Sequence, residues 1–217
     1  MIDWLNEPAL TVAGFPISWL EVLGDVTGLA SVWFAARENV LTWPIGIANS
    51  ALFLVLFFGS RLYLSVGLQV AFIALGVYGW IAWILGRTGT RDTMPVRRTS
   101  PAEWSAFVVV TVLGCAGITW AFATYTDAVN PFWDSTVAVM SLVATFGQAR
   151  KLLEFWLVFL VVDLISVPLY WSQDLRPTAV VFAVFGLLCV VGFRGWLATY
   201  RAFDAAAPAT APGATAS

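Results

Sequence analysis

The chain has 217 residues, of which 60% are apolar and only 11% are charged, and its formal net charge is −2. A soluble domain has about 45–50% apolar and about 25% charged residues, so this composition excludes an ordinary soluble globular protein. The small net charge gives no support for nucleic acid as a partner, and the sequence contains no histidine, the commonest metal ligand.

Long uncharged stretches predict seven membrane-spanning helices in an all-α membrane protein. Most approach the roughly 20 residues that cross about 30 Å of hydrocarbon as a helix. The first and sixth contain acidic residues (Glu21, Asp25 and Asp163), and the fifth has only a short uncharged run. The predicted spans are residues 17–36, 39–59, 62–86, 104–124, 134–149, 155–171 and 177–196.

The segments outside the spans are predicted from composition and position. Residues 1–16 are expected to be an extracellular segment, and residues 87–103 a cytoplasmic loop. Residues 204–217 are rich in alanine, proline and threonine, which predicts a disordered tail.

The basic residues predict the orientation, because short cytoplasmic loops are enriched in lysine and arginine. With the N-terminus outside and seven spans, nine basic residues face the cytoplasm and only Arg61 and Arg176 face out. The nine are Arg37, Arg87, Arg91, Arg97, Arg98, Arg150, Lys151, Arg194 and Arg201. We therefore predict an N-out, C-in protein.

An internal repeat becomes visible when residues 21–83 are compared with residues 134–196, a shift of 113 positions. Apolar matches mean little in such a sequence, but matches of arginine, tryptophan and glycine are informative. They are Arg37/Arg150, Trp43/Trp156, Gly79/Gly192 and Trp83/Trp196. We interpret residues 17–86 and 134–200 as two three-helix repeats joined by a linker helix over 104–124, in a 3+1+3 parallel-repeat arrangement.

Polar side chains inside the predicted spans are candidates for a binding site, because they are costly in hydrocarbon and usually face the interior of a bundle. They are Asn49, Ser50, Gln69, Thr145, Gln148 and Asp163. The alternative for Asn49 and Gln69 is to join helices by hydrogen bonds. The alternative for Asp163 is to pair with a neighbouring donor or to lie near the outer interface.

Tryptophans that recur in both repeats are candidates for stacking on a flat ring, notably Trp43 and Trp156. Structural packing of the repeat is the alternative. Cys115 and Cys189 lie in apolar runs and are interpreted as small core residues.

Enzyme signatures are absent from the sequence. There is no phosphate-binding Gly-x-x-x-x-Gly-Lys-Ser/Thr loop and no His-Glu-x-x-His motif. Asp163 has no second deeply placed acidic residue with which to form a protease pair. We therefore predict a protein that is not an enzyme and that has no cofactor or metal.

Several motifs together resemble the PnuC family of vitamin transporters over residues 21–196. In the first half they are Trp43-Pro-Ile-Gly-x-x-Asn49, Leu62-Tyr63, Leu68-Gln69 and Tyr78-Gly79-Trp80-x-x-Trp83. In the second half they are Ala149-Arg150-Lys151-x-x-Glu154-x-Trp156 and Val162-Asp163-x-x-Ser166-x-Pro168-Leu169-Tyr170.

The resemblance implies a homotrimer in the bacterial cell membrane that carries an unphosphorylated vitamin by facilitated diffusion, with phosphorylation in the cytoplasm trapping it. Nicotinamide riboside is our first choice of substrate, and riboflavin or thiamine are the alternatives within the family. Outside it, a non-transport membrane subunit and a carrier coupled to H⁺ or Na⁺ through Asp163 stay open.

The resemblance and the side-chain chemistry together give expected roles to ten residues. Asn49 and Gln69 are expected to bind an amide, since each offers a donor and an acceptor. Trp43, Trp80 or Trp156 is expected to stack on the ring, and Asp163, Gln148 or Tyr170 to bind ribose hydroxyls. Tyr78 and Thr145 complete the expected substrate site.

Overall fold

The computed structural model describes residues 8–12, 15–59, 62–86, 94–126 and 130–206. Within these residues the chain forms seven helices preceded by a short antiparallel hairpin. The elements are β1 (Pro8–Val12), β2 (Phe15–Ser18), α1 (Trp19–Ala36), α2 (Thr42–Gly59), α3 (Tyr63–Leu85), α4 (Pro101–Tyr125), α5 (Pro131–Ala149), α6 (Phe155–Ser172) and α7 (Arg176–Ala206). The expected seven helices are confirmed, and the hairpin is an addition that hydropathy did not predict. Arg61, Arg87, Arg91 and residues 207–217 lie outside the described residues.

Five of the helices, α2, α3, α4, α6 and α7, are long and apolar enough to cross a membrane. The other two described helices are more polar. Glu21 and Asp25 lie in α1, and α5 contains Asp134 together with two serines, two threonines and one glutamine. Length and composition therefore support five spans directly, and the side chains of α1 and α5 need protein neighbours.

Local signals explain where the helices begin and end. Ser100 caps α4: its hydroxyl accepts a hydrogen bond from the Glu103 amide, and the Glu103 carboxylate accepts one from the Ser100 amide. This capping box starts α4 before the predicted residue 104. At the other end of the chain, α7 continues for ten residues beyond Trp196, because residues 197–206 contain no glycine or proline. The helix therefore includes residues 204–206, which had been assigned to the tail.

The helices form a closed ring in which α1 contacts α2, α2 contacts α3, α3 contacts α5, α5 contacts α6, α6 contacts α7, and α7 returns to α1. The main contact of α4 is with α5, on the outside of this ring. The two triplets, α1–α3 and α5–α7, have equivalent contacts in this ring: α1–α2 corresponds to α5–α6, α2–α3 to α6–α7, and α3–α5 to α7–α1. The two triplets therefore meet at two boundaries, one between α3 and α5 and the other between α7 and α1.

The loops after α1 and α5 have the same geometry at the 113-residue separation. Arg37 and Arg150 end the two helices with φ values of −93° and −90°. The next residues, Glu38 and Lys151, both adopt a left-handed conformation, with φ of 57° and 56°. Local backbone geometry thus supports the repeat found in the sequence.

The segment between α3 and α4 attaches to the α5–α6 loop. Arg97 pairs with it through two backbone hydrogen bonds, from its amide to the Lys151 carbonyl and from the Leu153 amide to its own carbonyl, each 3.0 Å long. The Glu103 carboxylate lies 2.7 Å from Arg97 and 3.1 Å from Arg150. The hydrogen bond to the Glu103 carboxylate raises the pKa of the Arg97 guanidinium. We call residues 37–41, 94–100 and 150–154 the basic loop layer.

Candidate functional site

A cavity of about 320 Å³ lies inside the six-helix ring. Most of its lining residues form pairs separated by 113 positions, so both triplets contribute equivalent positions to the same space. The pairs are Gly28/Ser141, Val32/Thr145, Trp43/Trp156, Gly46/Phe159, Asn49/Val162, Ser50/Asp163, Phe72/Phe185 and Gly76/Cys189. Ser31, Thr42, Gln148 and Phe182 complete the lining.

The polar groups of the cavity are distributed unequally between the two triplets. Asn49 lines the cavity from α2, and the equivalent position in α6 is Val162. Asp163 lines it from α6, and the equivalent position in α2 is Ser50. The two halves therefore share one shape but present different chemistry, which gives a bound molecule a preferred orientation.

Asn49 combines a structural bond with exposure to the cavity. Its Nδ2 donates to the Gly24 carbonyl at 2.5 Å and to the Thr27 hydroxyl at 3.0 Å, and these bonds join α2 to α1. The hydrogen bonds that the structure gives this side chain therefore use its amide nitrogen. Its Oδ1 is the atom suited to accept a hydrogen bond from a ligand.

The backbone of Gln148 is hydrogen-bonded to a neighbouring helix, and its side chain lines the cavity. Its carbonyl accepts a hydrogen bond of 3.3 Å from Trp83 Nε1, across the boundary between α3 and α5. Thr145, one turn earlier, uses its hydroxyl to donate to the Ser141 carbonyl at 2.8 Å. The Gln148 amide thus offers both a donor and an acceptor on the α5 side of the cavity.

Asp163 is 6% exposed and lies in the middle of α6. Its Oδ2 accepts a hydrogen bond from the Cys189 thiol at 3.3 Å. Cys189 is a buried core residue, as predicted, and it also lines the cavity.

Trp43 and Trp156 line the cavity, but only 4% and 3% of their surfaces are exposed. The six-membered ring of each lies against a glycine on the neighbouring helix, Gly79 for Trp43 and Gly192 for Trp156. Within the described residues their indole nitrogens are buried and have no hydrogen-bond partner. These rings are packed so closely that they offer a ligand little surface for stacking.

Four of the ten predicted site residues lie outside the lining. On α3 the cavity-facing and buried side is set by Phe72, Gly76, Gly79 and Trp83, at spacings of four, three and four residues. Tyr78 points away from that side and stacks on Phe146 at 5.6 Å, and Trp80 is 38% exposed.

The other two predicted residues outside the lining are Gln69 and Tyr170. Gln69 lies about one turn nearer the start of α3 than Phe72, by the 3.6-residue period of a helix. Tyr170 stacks at 5.1 Å on Phe182, which does line the cavity.

The phenylalanines of the cavity wall were not predicted from the sequence. They are Phe72, Phe159, Phe182 and Phe185. In so apolar a chain a phenylalanine in a span carries no contrast with its neighbours. The Phe72/Phe185 identity within the repeat is the signal that was available.

Towards the basic loop layer, two equivalent tryptophans join the triplets. Trp83 of α3 donates to the Gln148 carbonyl of α5, and Trp196 of α7 donates to the Ala35 carbonyl of α1 at 2.9 Å. Positions 35 and 148 are themselves separated by 113 residues, so both boundaries contain the same bond. These two tryptophan rings are fully buried, with centroids 5.9 Å apart.

A buried ion pair lies beside these tryptophans. Lys151 is fully buried, and its Nζ is 2.7 Å from Glu38 Oε2. The same Nζ lies 4.1 Å from the ring centroid of Trp83 and 4.8 Å from that of Trp196. Because positions 38 and 151 are equivalent in the repeat, the ion pair joins a position to its own counterpart.

Comparison with known proteins identifies the family. The sequence model of the nicotinamide mononucleotide transporter family matches residues 18–198. The chain is 29% identical over 197 residues to the riboflavin/roseoflavin transporter RibM of Streptomyces davaonensis, covering 90% of this chain and 92% of that protein. It is also 29% identical over 213 residues to the nicotinamide riboside transporter PnuC of Escherichia coli, covering 87% and 89% of the two chains.

A solved structure has the same fold. The crystal structure of the vitamin B3 transporter PnuC matches with a TM-score of 0.69 at 18% sequence identity, over 85% of this chain and 83% of that one. With these relatives and its apolar helices, the chain is a multi-pass protein of the bacterial inner membrane. It belongs to the nicotinamide mononucleotide transporter family, the family of the PnuC proteins.

Proposed function

We propose that this protein carries an unphosphorylated vitamin across the bacterial inner membrane by facilitated diffusion, and that nicotinamide riboside is its substrate. The observation that carries the proposal is the cavity between the two triplets, with aromatic walls and a few polar groups inside a membrane protein. Small-molecule sites typically combine such apolar walls with a small number of placed polar groups.

The polar groups suit a nicotinamide nucleoside. Asn49 Oδ1 and the Gln148 side chain together offer acceptors and a donor to a carboxamide, so Gln148 takes the role that we had expected of Gln69. Thr145 is available to ribose hydroxyls. The phenylalanines of the wall, rather than Trp43 or Trp156, supply the surface for the ring.

The absence of basic side chains from the cavity lining supports an unphosphorylated substrate. None of the described residues that line the cavity is lysine or arginine, and one of them is an aspartate. A phosphate group would have no cation to offset its desolvation and would be repelled by that carboxylate. Phosphorylation in the cytoplasm would therefore prevent return through the same cavity and trap the vitamin.

Riboflavin is the second candidate, because RibM is as similar to this chain as the Escherichia coli PnuC is. The cavity volume of about 320 Å³ favours the smaller molecule. It lies at the lower end of the range of about 300–1,000 Å³ that ligand cavities span.

For the arrangement in the membrane we infer seven spans, N-out and C-in, in a 3+1+3 parallel repeat. The basic loop layer then lies on the cytoplasmic side, as the distribution of lysine and arginine favours. The more polar α1 and α5 are accommodated because they face other helices of the ring. Rocking of the two triplets about the cavity would give alternating access. Assembly into a homotrimer is part of this proposal.

Ligand-dependent thermal stabilisation of the purified protein in detergent tests the assignment. Nicotinamide riboside is expected to raise the melting temperature more than riboflavin or thiamine at equal concentration. Uptake into vesicles without a kinase should then equilibrate and stop, and it should persist in the presence of an ionophore. Stabilisation by riboflavin alone would transfer the assignment to the second candidate. Uptake that collapses with the ionophore would favour a coupled carrier.

A further inference from the structure

We propose that Asp163 supplies the negative charge of the cavity and selects a flat aromatic ring that carries a positive charge. This inference rests on the proposed function and specifies the class of vitamin that the same cavity takes. The sequence had suggested hydroxyl binding for Asp163, which does not depend on the charge of the ring.

Asp163 is the one acidic residue among the described residues that line the cavity, and none of them is basic. The hydrogen bond given to its carboxylate comes from the Cys189 thiol, which is a weak donor. The basic residues of the basic loop layer have other partners: Lys151 pairs with Glu38, Arg97 and Arg150 pair with Glu103, and Arg98 pairs with Glu154, while the Arg37 guanidinium lies over the Trp33 ring. The cavity therefore contains a carboxylate without a protein cation to balance it.

An ionised carboxylate in a low-dielectric site is costly unless a cation pairs with it. None of the described residues that line the cavity supplies such a cation, so the ligand is the available source of one. A ring with a positive charge would gain the attraction of the carboxylate and would relieve the cost of burying it.

The aromatic wall favours the same kind of ligand. The faces of phenylalanine rings are electron-rich and attract a cation held within about 6 Å of the ring centroid. Phe72 and Phe185 lie at equivalent positions of the two triplets, and Phe182 lines the cavity with its ring centroid 5.9 Å from that of Phe185. A flat cation thus matches the carboxylate and the wall together.

Known vitamins differ in this property. The pyridinium ring of nicotinamide riboside and the thiazolium ring of thiamine are positively charged, whereas the isoalloxazine of riboflavin is neutral. The inference therefore predicts that the carrier prefers the two charged vitamins to riboflavin, and that removal of the Asp163 charge weakens this preference.

The decisive comparison uses nicotinamide riboside and its dihydro form, which has the same carboxamide and ribose but a neutral ring. Binding of both to the purified full-length protein is measured by calorimetry. The wild-type protein is expected to bind the charged form at least about tenfold more tightly, since a desolvated cation gains from both the rings and the carboxylate. In Asp163→Asn the two affinities should approach each other, chiefly through weaker binding of the charged form. Asp204→Asn, which removes an exposed charge at the end of α7, is the matched control and should keep the wild-type ratio.

Equal affinity of the wild-type protein for the two forms would overturn the charge inference. This measurement does not depend on whether any variant folds. An equal loss of both forms in Asp163→Asn would also overturn it, because the carboxylate would then bind the hydroxyls that the two molecules share. Failure of nicotinamide riboside, thiamine and riboflavin alike to bind would instead contradict the proposed function.

Discussion

At the scale of single residues, the structure separates two glutamines that the sequence treats alike. Both lie in predicted spans, but the Gln148 side chain lines the cavity and Gln69 lies outside the lining on α3. Their different positions cannot be derived from hydropathy, because each is one polar residue in an apolar stretch.

The Gln148→Leu variant is expected to lose most stabilisation by nicotinamide riboside while it remains folded. The bond from Trp83 reaches the backbone carbonyl of Gln148, which the substitution keeps. Gln69→Leu is the matched control and should bind nearly as the wild type does. Ligand-dependent melting shifts and vesicle uptake measure both. The opposite result, with loss confined to Gln69→Leu, would restore the assignment made from the sequence.

Two buried tryptophans allow a second comparison at this scale. Trp196 donates a hydrogen bond to the Ala35 carbonyl, whereas the indole nitrogen of Trp43 has no partner within the described residues. Replacement by phenylalanine removes a similar volume at both positions. Trp196→Phe should be less stable than Trp43→Phe by about 0.5–1.5 kcal/mol, the net contribution of one hydrogen bond, because the Ala35 carbonyl keeps its bond from the Glu38 amide. Equal melting temperatures of the two variants would contradict this account.

At the scale of helices, contact between a glycine and a tryptophan fixes how closely neighbours approach. A Cβ atom at Gly79 would lie 2.4 Å from the Trp43 ring, and one at Gly192 would lie 2.5 Å from the Trp156 ring. Both distances are far shorter than van der Waals contact, so α2–α3 and α6–α7 can pack as observed only with glycine at these positions.

Gly79→Ala is therefore expected to lower stability by about 1–3 kcal/mol, as overpacking of a core does. Gly67 is the control on the same helix, because a Cβ atom there meets nothing within 4 Å. Thermal unfolding in detergent should leave Gly67→Ala at or above the wild-type melting temperature. A similar loss in both variants would indicate an effect of helix backbone rather than of the tryptophan contact.

The sequence predicts the helices well and their ends less well, for identifiable reasons. The span prediction follows hydropathy, so it misses the capping box that starts α4 at Pro101 and the helix-forming residues that extend α7 to Ala206. The hairpin of β1 and β2 contains too few residues to give a periodic pattern. The cavity positions Trp43, Asn49, Thr145, Gln148, Trp156 and Asp163 were among the candidates because they are polar in a span or recur in the repeat.

At the scale of the whole molecule, the repeat in the sequence corresponds to a ring in which each triplet is joined to the other by the same tryptophan bond. The comparison of identities could not reveal the ion pair, because Glu38 and Lys151 count as a mismatch. Only the contact between them shows that opposite charges at equivalent positions belong together.

The exchange of these two charges tests the equivalence. Glu38→Lys alone or Lys151→Glu alone should lower stability by about 3–5 kcal/mol, since each leaves like charges buried together. The double variant with both changes should recover much of the loss, because each side chain then occupies the counterpart of its original position. Melting temperature and the yield of monodisperse protein measure the recovery. A double variant as unstable as the worse single one would contradict the equivalence.

The ion pair also sets a condition on how such a protein can arise from two copies of one three-helix unit. In an assembly of identical copies, position 38 of one copy would meet the same residue of the other, and two lysines or two glutamates would come into contact. The pair of Glu38 and Lys151 therefore requires the two copies to have diverged at this position. Once they have diverged, each half associates with its unlike partner in preference to a second copy of itself, so the fused chain is held to a single pairing.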